Sequence, residues 1–584
     1  MKTEIKHCQN CKTSFTIEPE DFAFYERISA SRAGGSANPN GGNVPPPTWC
    51  WKCRLMRRLA SRPSRAMYKA KCDLCGEDMV SLHHPGSKFI AYCNPCWNGD
   101  GWDALSYGKD YDFEKPFFVQ FRELLERVPR RSTRMTNSPT CRYSDSVVNC
   151  KNCFMVIGGL NAEDCMYGSP VFSKNSVDTD VVINGDHAYE TVSATNVFNT
   201  KFVYFSDDCI DSSFLFDCKG CTSCFGCMNL RNSKYCIFNK QFSKAEYEKQ
   251  MEYWDLGSYS RIQEAYERFR EILLSTPRRF AIHTNAIDSV GDDLKNVKNC
   301  KMCFIAVNGA ENCKYGTGIG LLMKDSYDVT SGGDKSQLVY ESSGILQCDQ
   351  IKFVNGGNSL HDVEYCEQCF SSSYLFGCIG VKHKKYMILN KQYDKSTYEK
   401  LRSEIIQQMT DMPYINNEGI EYRYGEFFPV ENSAYPYNGS WAYERYPMKK
   451  EDAVKKGYEW YEREHTVYNP DFRANQIQDN IKDIDNSIAN KIIECGHKGV
   501  CDELCTTAYR IIPEELQFYK KMKIALPRLC PNCRYFQRLS MRNPYNLWHR
   551  KCMKPCCPNE FETACAPNRP DIIYCQTCYN QEFL

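Results

Sequence analysis

The chain has 584 residues and a formal net charge of +1, with 42% hydrophobic, 25% charged and 13% aromatic residues. That length exceeds what one hydrophobic core supports, so several domains are expected, and the near-zero charge excludes a uniformly basic nucleic-acid-binding protein. The 36 cysteines are the outlier. In a chain this large, whose start from Met1 to Cys8 is polar and lacks the apolar segment of an export signal, they point to reduced thiols and metal ligands rather than a disulfide framework. No run approaches the roughly 18 apolar residues of a membrane span, and a cytoplasmic protein is expected.

Residues 1–100 read as a double zinc-ribbon module. The pairs Cys8/Cys11 and Cys50/Cys53 form one four-thiolate site, and Cys72/Cys75 and Cys93/Cys96 a second, because each CxxC turn aims two thiolates at one ion. Four thiolates leave no open coordination position, so structural zinc is expected. The stretch from Ala30 to Asn43, rich in Gly, Ser, Ala and Asn, reads as a surface loop. Between the two sites lies a basic segment with Arg54, Arg57, Arg58, Arg62, Arg65 and Lys69, with Trp49, Trp51 and Tyr68 nearby. Such residues suit a phosphate backbone and unpaired bases, RNA more than duplex DNA, if exposed. The alternative is a helix whose arginines pair with carboxylates of the protein itself.

Residues 101–135 read as a linker with an amphipathic helix, and the centre that follows is a duplication. Phe121-Arg-Glu-Leu-Leu returns as Phe269-Arg-Glu-Ile-Leu, Asn149-Cys-Lys-Asn-Cys as Asn299-Cys-Lys-Met-Cys, and Asn239-Lys-Gln as Asn390-Lys-Gln. Within each copy, polar turns rich in Asn, Asp, Ser and Cys recur about every 11–13 residues between short β-prone runs. That rhythm predicts two parallel β-solenoid repeats, right-handed β-helix-like, at 136–243 and 286–395, with an antiparallel sandwich as the alternative. Helices starting near Lys244 and Lys395 are expected to cap the solenoids, the first opening a helical connector over 244–285. The central cysteines, Cys218, Cys221, Cys224 and Cys227 among them, read as small core residues along the coil, the alternative being a metal or iron–sulfur site. Asp178, Asp180, Asp186, Asp207, Asp208 and Asp211 are the carboxylates that a glycan-cleaving site would use; turn hydrogen bonding explains them equally well.

Residues 396–490 read as a helix and an extended connector with a short helix near Glu451 to Glu462. Residues 491–584 repeat the N-terminal module: Cys53 to Cys72 and Cys533 to Cys552 both span 19 positions, and Cys75 to Cys93 and Cys557 to Cys575 both span 18. The spacing assigns Cys501, Cys505, Cys530 and Cys533 to a third site and Cys552, Cys557, Cys575 and Cys578 to a fourth, with Cys557 preferred to Cys556. Cys495 and His497 lie close enough to replace one ligand of the third. The second basic segment carries Arg534, Arg538, Arg542, Arg550 and Lys551.

The series Cys8, Cys11, Phe15, Ile17, Pro19, Glu20, Phe24, Tyr25, Pro47, Cys50, Cys53 and Arg54 resembles the probable zinc-ribbon domain family. The whole layout is similar to uncharacterised cysteine-rich proteins of candidate-phyla-radiation (Patescibacteria) bacteria. The resemblance implies zinc and repeats, and no reaction. The sequence expectation is a multidomain, mainly β scaffold with about four structural zinc ions. It would engage nucleic acid or a ribonucleoprotein through the basic segments and a protein partner on the solenoids. The alternatives are a carbohydrate-active enzyme on the solenoid and a purely structural protein-interaction scaffold. No P-loop, G-x-S-x-G or HExxH is present. The zinc modules are expected to unfold on chelation and leave the solenoids intact.

Overall fold

A tripeptide rhythm governs the centre of the chain. In the computed structural model, which describes residues 3–30, 43–463 and 468–583, one residue in three from Tyr143 to Phe238 has left-handed backbone, broken only between Tyr167 and Phe172. Parallel partners lie twelve residues apart, as in Lys201 with Ser213, Ser213 with Phe225 and Thr222 with Lys234. Each coil therefore has four corners and four three-residue sides. Left-handed backbone favours Asn, Asp and Gly, which explains Asn149, Asn152, Asn161, Asp164, Asn184, Asn196, Asp208, Gly220 and Asn232 at corners. This is the physical origin of the polar turns, and the parallel rungs remove the antiparallel sandwich.

Other corners hold residues that resist this conformation, such as Val181, Phe202 and Phe214, so stacking overrides local preference. Phe202 and Phe214 stack at 4.5 Å, and Tyr266 and Phe269 of the helix Tyr259–Ser275 pack edge-on against Phe214 at 5.1 and 5.8 Å. Another corner column is a polar ladder: Asn184 donates to Asn196 (3.0 Å), and Asn196 to Asp208 (2.9 Å). One residue per tripeptide points into the tube, which is narrow and takes small side chains: Val182, Ala188, Ala194, Cys209, Cys218, Cys221, Cys224 and Cys227. Each of these thiols donates to the carbonyl two residues earlier, for example Cys209 to Asp207 (3.2 Å) and Cys227 to Phe225 (3.2 Å). Inward serines do the same, and their oxygens accept the amide of the next coil, as Ser206 does from Cys218.

The chain divides into two units, each assembled from separated segments. Unit 1 comprises residues 1–133 and 283–462, so the N-terminal module folds with the second solenoid. Unit 2 comprises 134–282 and 463–584, joining the C-terminal module to the first solenoid. In unit 1 the first partners lie eleven or twelve residues apart, as in His283 with Leu294 and Leu294 with Ala306, and the coils that follow are one residue longer: Lys298 pairs with Glu311, and Lys324 with Gln337. The extra residue enters at a corner, where two consecutive residues are left-handed: Asn308-Gly309, Leu321-Leu322 and Asp334-Lys335. From Gln337 onward the step is twelve again.

The helices Lys244–Tyr253 in unit 2 and Lys395–Asp411 in unit 1 follow the last rungs, where the short antiparallel strands Lys240–Gln241 and Lys391–Gln392 end the ladders. The first helix opens with a capping box, Ser243 and Glu246 satisfying each other's backbone amides. Residues 412–462, expected as part of an extended connector, lack long elements but are not detached. Tyr422, Tyr424, Phe427, Tyr435 and Tyr437 are buried in unit 1, and the short helix runs Lys450–Lys455. Ala30 and Asn43 bound the expected surface loop, whose residues 31–42 lie outside the described residues. Among the described residues no helix is long and apolar enough to cross a membrane.

Candidate metal centres

Four groups of four cysteines converge, two in each unit, with every sulfur of a group within 4.8 Å of the others. Zinc–thiolate bonds of about 2.3 Å in a tetrahedron place sulfurs about 3.8 Å apart. The observed edges match: Cys11–Cys50 3.7 Å, Cys75–Cys93 3.9 Å, Cys495–Cys533 3.9 Å and Cys557–Cys575 3.9 Å. These all-sulfur sets fit a tetrahedral thiophilic ion.

Each group is built alike. A hairpin turn supplies the first two ligands, as between Glu4–His7 and Ser14–Ile17 or Tyr68–Lys71 and Asp78–Ser81. The start of a helix supplies the other two. Cys50 and Cys530 precede the helices Trp51–Ala60 and Pro531–Ser540, which place Cys53 and Cys533 in their first turns, where the positive end of the helix dipole favours a thiolate. Backbone amides also donate to sulfur: Cys93 to Cys72 (3.3 Å), Cys530 to Cys495 (3.2 Å) and Cys575 to Cys552 (3.3 Å). At Cys72 burial opposes ionisation, but the amides of Cys75, Cys93 and Leu74 prevail and bring the thiol down to about 6. The fourth group contains Cys552, Cys557, Cys575 and Cys578, while Cys556 is exposed with left-handed backbone.

The third group differs from the expectation: it is Cys495, Cys505, Cys530 and Cys533, with Cys495 in the position assigned to Cys501. Hairpin register explains the change. Cys8 follows the strand Glu4–His7 and its amide bonds Thr13 (2.9 Å), just as Cys495 follows Ile493–Glu494 and its amide bonds Thr507 (2.8 Å). Cys501 sits in an insertion within this turn, beside Cys533 at 3.7 Å.

The basic segments do not form a nucleic-acid surface. Arg54, Arg57, Arg58, Arg62, Arg534, Arg538 and Arg542 are buried, as is Trp49; Arg65 and Arg550 are half-buried, and only Lys69 and Lys551 of the eleven expected contacts are exposed. In unit 1, Arg54 and Arg58 grip Asp328 at 2.8 and 3.0 Å. Arg57 meets both oxygens of Glu341 (3.0 and 3.1 Å) and Glu426 (3.2 Å), and lies 4.3 Å over the Trp49 ring. Unit 2 repeats the plan: Arg534 and Arg538 hold Asp178 at 2.8 and 3.0 Å, Arg538 reaches Glu190 (3.1 Å), and Arg542 binds Asp180 (2.7 Å). Arg534 also pairs with Glu515 (3.3 Å), within its own module. The guanidiniums are thus turned inward because the left-handed corners and adjoining rungs of each solenoid present carboxylates to the module's helix. Burial pushes Glu190 up to about 7 despite Arg538, and pushes Glu341 up against Arg57 and Arg58.

The carboxylates considered for glycan cleavage are engaged elsewhere. Asp178 and Asp180 are the ion-pair partners just described. Asp186, Asp208 and Asp211 accept from Asn175, Asn196 and Asn199 of the preceding coil (3.0, 2.9 and 2.6 Å), and Asp207 from the Thr195 amide (3.0 Å). Among the described residues the solenoid thiols belong to none of the converging ligand groups. Glu426 escaped the sequence reading. Asp328 and Glu341 had a signal, since Asp178 and the Tyr189-Glu190 pair return as Asp328 and Tyr340-Glu341.

No family model and no curated protein matches the chain. Among solved structures, a putative acetyltransferase from Desulfovibrio desulfuricans G20 aligns at 10% identity, covering 49% of this chain and 86% of its own, with a TM-score of 0.09. At that score the likeness has no bearing on fold or function.

Proposed function

We propose that the chain is a zinc-dependent scaffold, in which double zinc modules of treble-clef-like form hold two solenoid frames rigid for a protein partner. The observation that carries this reading is the double duty of one helix in each unit. Trp51–Ala60 supplies Cys53 to a metal group and Arg54, Arg57 and Arg58 to the carboxylates of its solenoid, and Pro531–Ser540 does the same with Cys533, Arg534 and Arg538. Hairpin-plus-helix-start geometry supports the treble-clef-like assignment, and an all-thiolate tetrahedron favours zinc over harder cations. Saturated four-sulfur sets leave no place for a metal-bound water, which favours a structural role.

The test is zinc quantification on the purified full chain, followed by graded chelation watched by circular dichroism. Because each module shares a unit with a solenoid, the reading replaces the expectation of solenoids that survive chelation: it expects at least four zinc ions and loss of the β signal together with the metal. A metal-free chain with the same β signal and the same melting temperature refutes it.

A further inference from the structure

The turn that carries the third metal group is enlarged, and the added residues have metal-binding chemistry. Two residues separate Cys8 from Cys11, whereas nine separate Cys495 from Cys505. The insertion brings His497, Cys501 and Glu503 back against Cys533. Cys501 Sγ lies 3.7 Å from Cys533 Sγ, and His497 Nδ1 lies 3.0 Å from Glu503 Oε2. The four ligand atoms of His497, Cys501, Glu503 and Cys533 all fall within 4.8 Å of one another.

Simple hydrogen bonding does not account for the cluster. His497 Nδ1 and Glu503 Oε2 are close but out of line for a hydrogen bond, and neither buried atom has a hydrogen-bond partner among the described residues. Two lone-pair atoms facing one space are what a cation requires. Nitrogen and oxygen ligands at about 2.0–2.1 Å from a tetrahedral zinc stand about 3.3–3.4 Å apart, close to the spacing found. The Cys501–Cys533 separation is a tetrahedral sulfur–sulfur edge of the kind seen in the four-cysteine groups.

We propose that His497, Cys501 and Glu503 hold a second metal ion, joined to the third four-cysteine group through a shared Cys533 thiolate. The mixed nitrogen, sulfur and oxygen donors suit a borderline divalent ion such as zinc. His497, Cys501 and Glu503 are half-buried, whereas Cys495, Cys530 and Cys533 are fully buried. The outer ion therefore exchanges first, without unfolding the module. This inference rests on the zinc reading of the four-cysteine groups.

The test is metal counting by native mass spectrometry on the full chain, titrated with a chromophoric chelator. The expected count is five zinc ions, with one lost at lower chelator concentration than the rest. Cys501→Ser, and separately His497→Ala with Glu503→Gln, should each hold four with the melting temperature retained. In the cobalt-loaded chain, the fifth ion should reduce the electron-paramagnetic-resonance intensity per ion, because two ions sharing a thiolate couple magnetically. A wild-type count of four, unchanged in both variants, overturns the second ion and leaves the scaffold reading standing. A count of four that falls to three in Cys501→Ser but not in Cys495→Ser overturns it too, by making Cys501 the fourth ligand of a single ion. A chain without metal overturns both readings.

Discussion

Replacing Arg57 by Ala separates a clamp from a nucleic-acid contact. Arg57 is buried between Glu341 and Glu426, which it meets at 3.0–3.2 Å. Arg58 also approaches Glu341, at 3.4 Å, so Glu341 keeps one cation when Arg57 is removed. Among the described residues, Glu426 keeps the amide of Thr48 at 3.0 Å and the Thr48 hydroxyl. Breaking a buried pair at one partner costs about 3–5 kcal/mol, because the remaining charge is desolvated without compensation. At about 2–4 °C per kcal/mol for a large domain, the unit 1 transition should fall by roughly 6–20 °C. Differential scanning calorimetry on the zinc-loaded full chain measures it, with zinc content as the control because Arg57 is not a ligand. Changing Glu426 to Gln alongside Arg57→Met should recover much of the loss, since Arg54 and Arg58 then balance Asp328 and Glu341. An Arg57→Ala protein that melts with the wild type would refute the ion-pair reasoning.

Four further outcomes are expected. Chelation should collapse the solenoids along with the modules, since losing the helix Trp51–Ala60 strips Asp328 and Glu341 of their cations; hydrogen exchange localised to the modules alone would contradict this. Burial opposes ionisation of Glu364, yet Arg402 and Lys352 hold it down at about 2, below its ordinary value of 4.5. Its ionised form thus stabilises unit 1 above pH 4.5, and that contribution, about 3 kcal/mol, disappears as pH falls toward 2; Glu364→Gln should flatten this limb of an acid titration. Cys221→Ser should cost under about 1.5 kcal/mol, because inward serines keep the same carbonyl bond, whereas Cys221→Leu overfills the tube and should cost about 1–3 kcal/mol or more by chemical denaturation. Val181 has left-handed backbone, so Val181→Asn should raise stability by about 1 kcal/mol; a lowered denaturation midpoint would count against the strain assigned to that corner.

Period and spacing made much of this protein readable. The 19- and 18-residue intervals found the second and fourth metal groups, since knuckle and helix start are local structures whose ligands lie close in sequence. At the third group the spacing preferred Cys501 and offered Cys495 as the replacement, for the same reason. Cys501 and Cys505 look like a pair in the text, whereas hairpin register, set by Ile493–Glu494 against Ala508–Tyr509, makes Cys495 the partner. The solenoid was visible as a rhythm of 11–13 residues, but the underlying tripeptide was hidden. Only some left-handed corners carry Asn, Asp or Gly, and aromatic residues such as Phe202 occupy others through stacking that propensity does not register. The fate of the arginines was least legible. Their partners Asp328, Glu341 and Glu426 lie 270 or more positions away, and a basic helix reads alike whether it faces phosphate or buried carboxylate.

The order of assembly has a consequence during synthesis. The N-terminal module leaves the ribosome with its arginines in place, while the carboxylates they are to meet lie in residues 328–426. At about 5–20 residues per second, that is a wait of roughly 15–75 s. The first solenoid waits for Arg534, Arg538 and Arg542, more than 300 positions downstream of Asp178 and Asp180. Neither unit is built from one continuous stretch, so synthesis halted just before Cys530 leaves unit 1 with all its residues and unit 2 without the helix that grips Asp178. Early metal loading of the N-terminal groups would keep one clamp folded through that interval, so metal supply during translation would matter as much as metal retention afterwards.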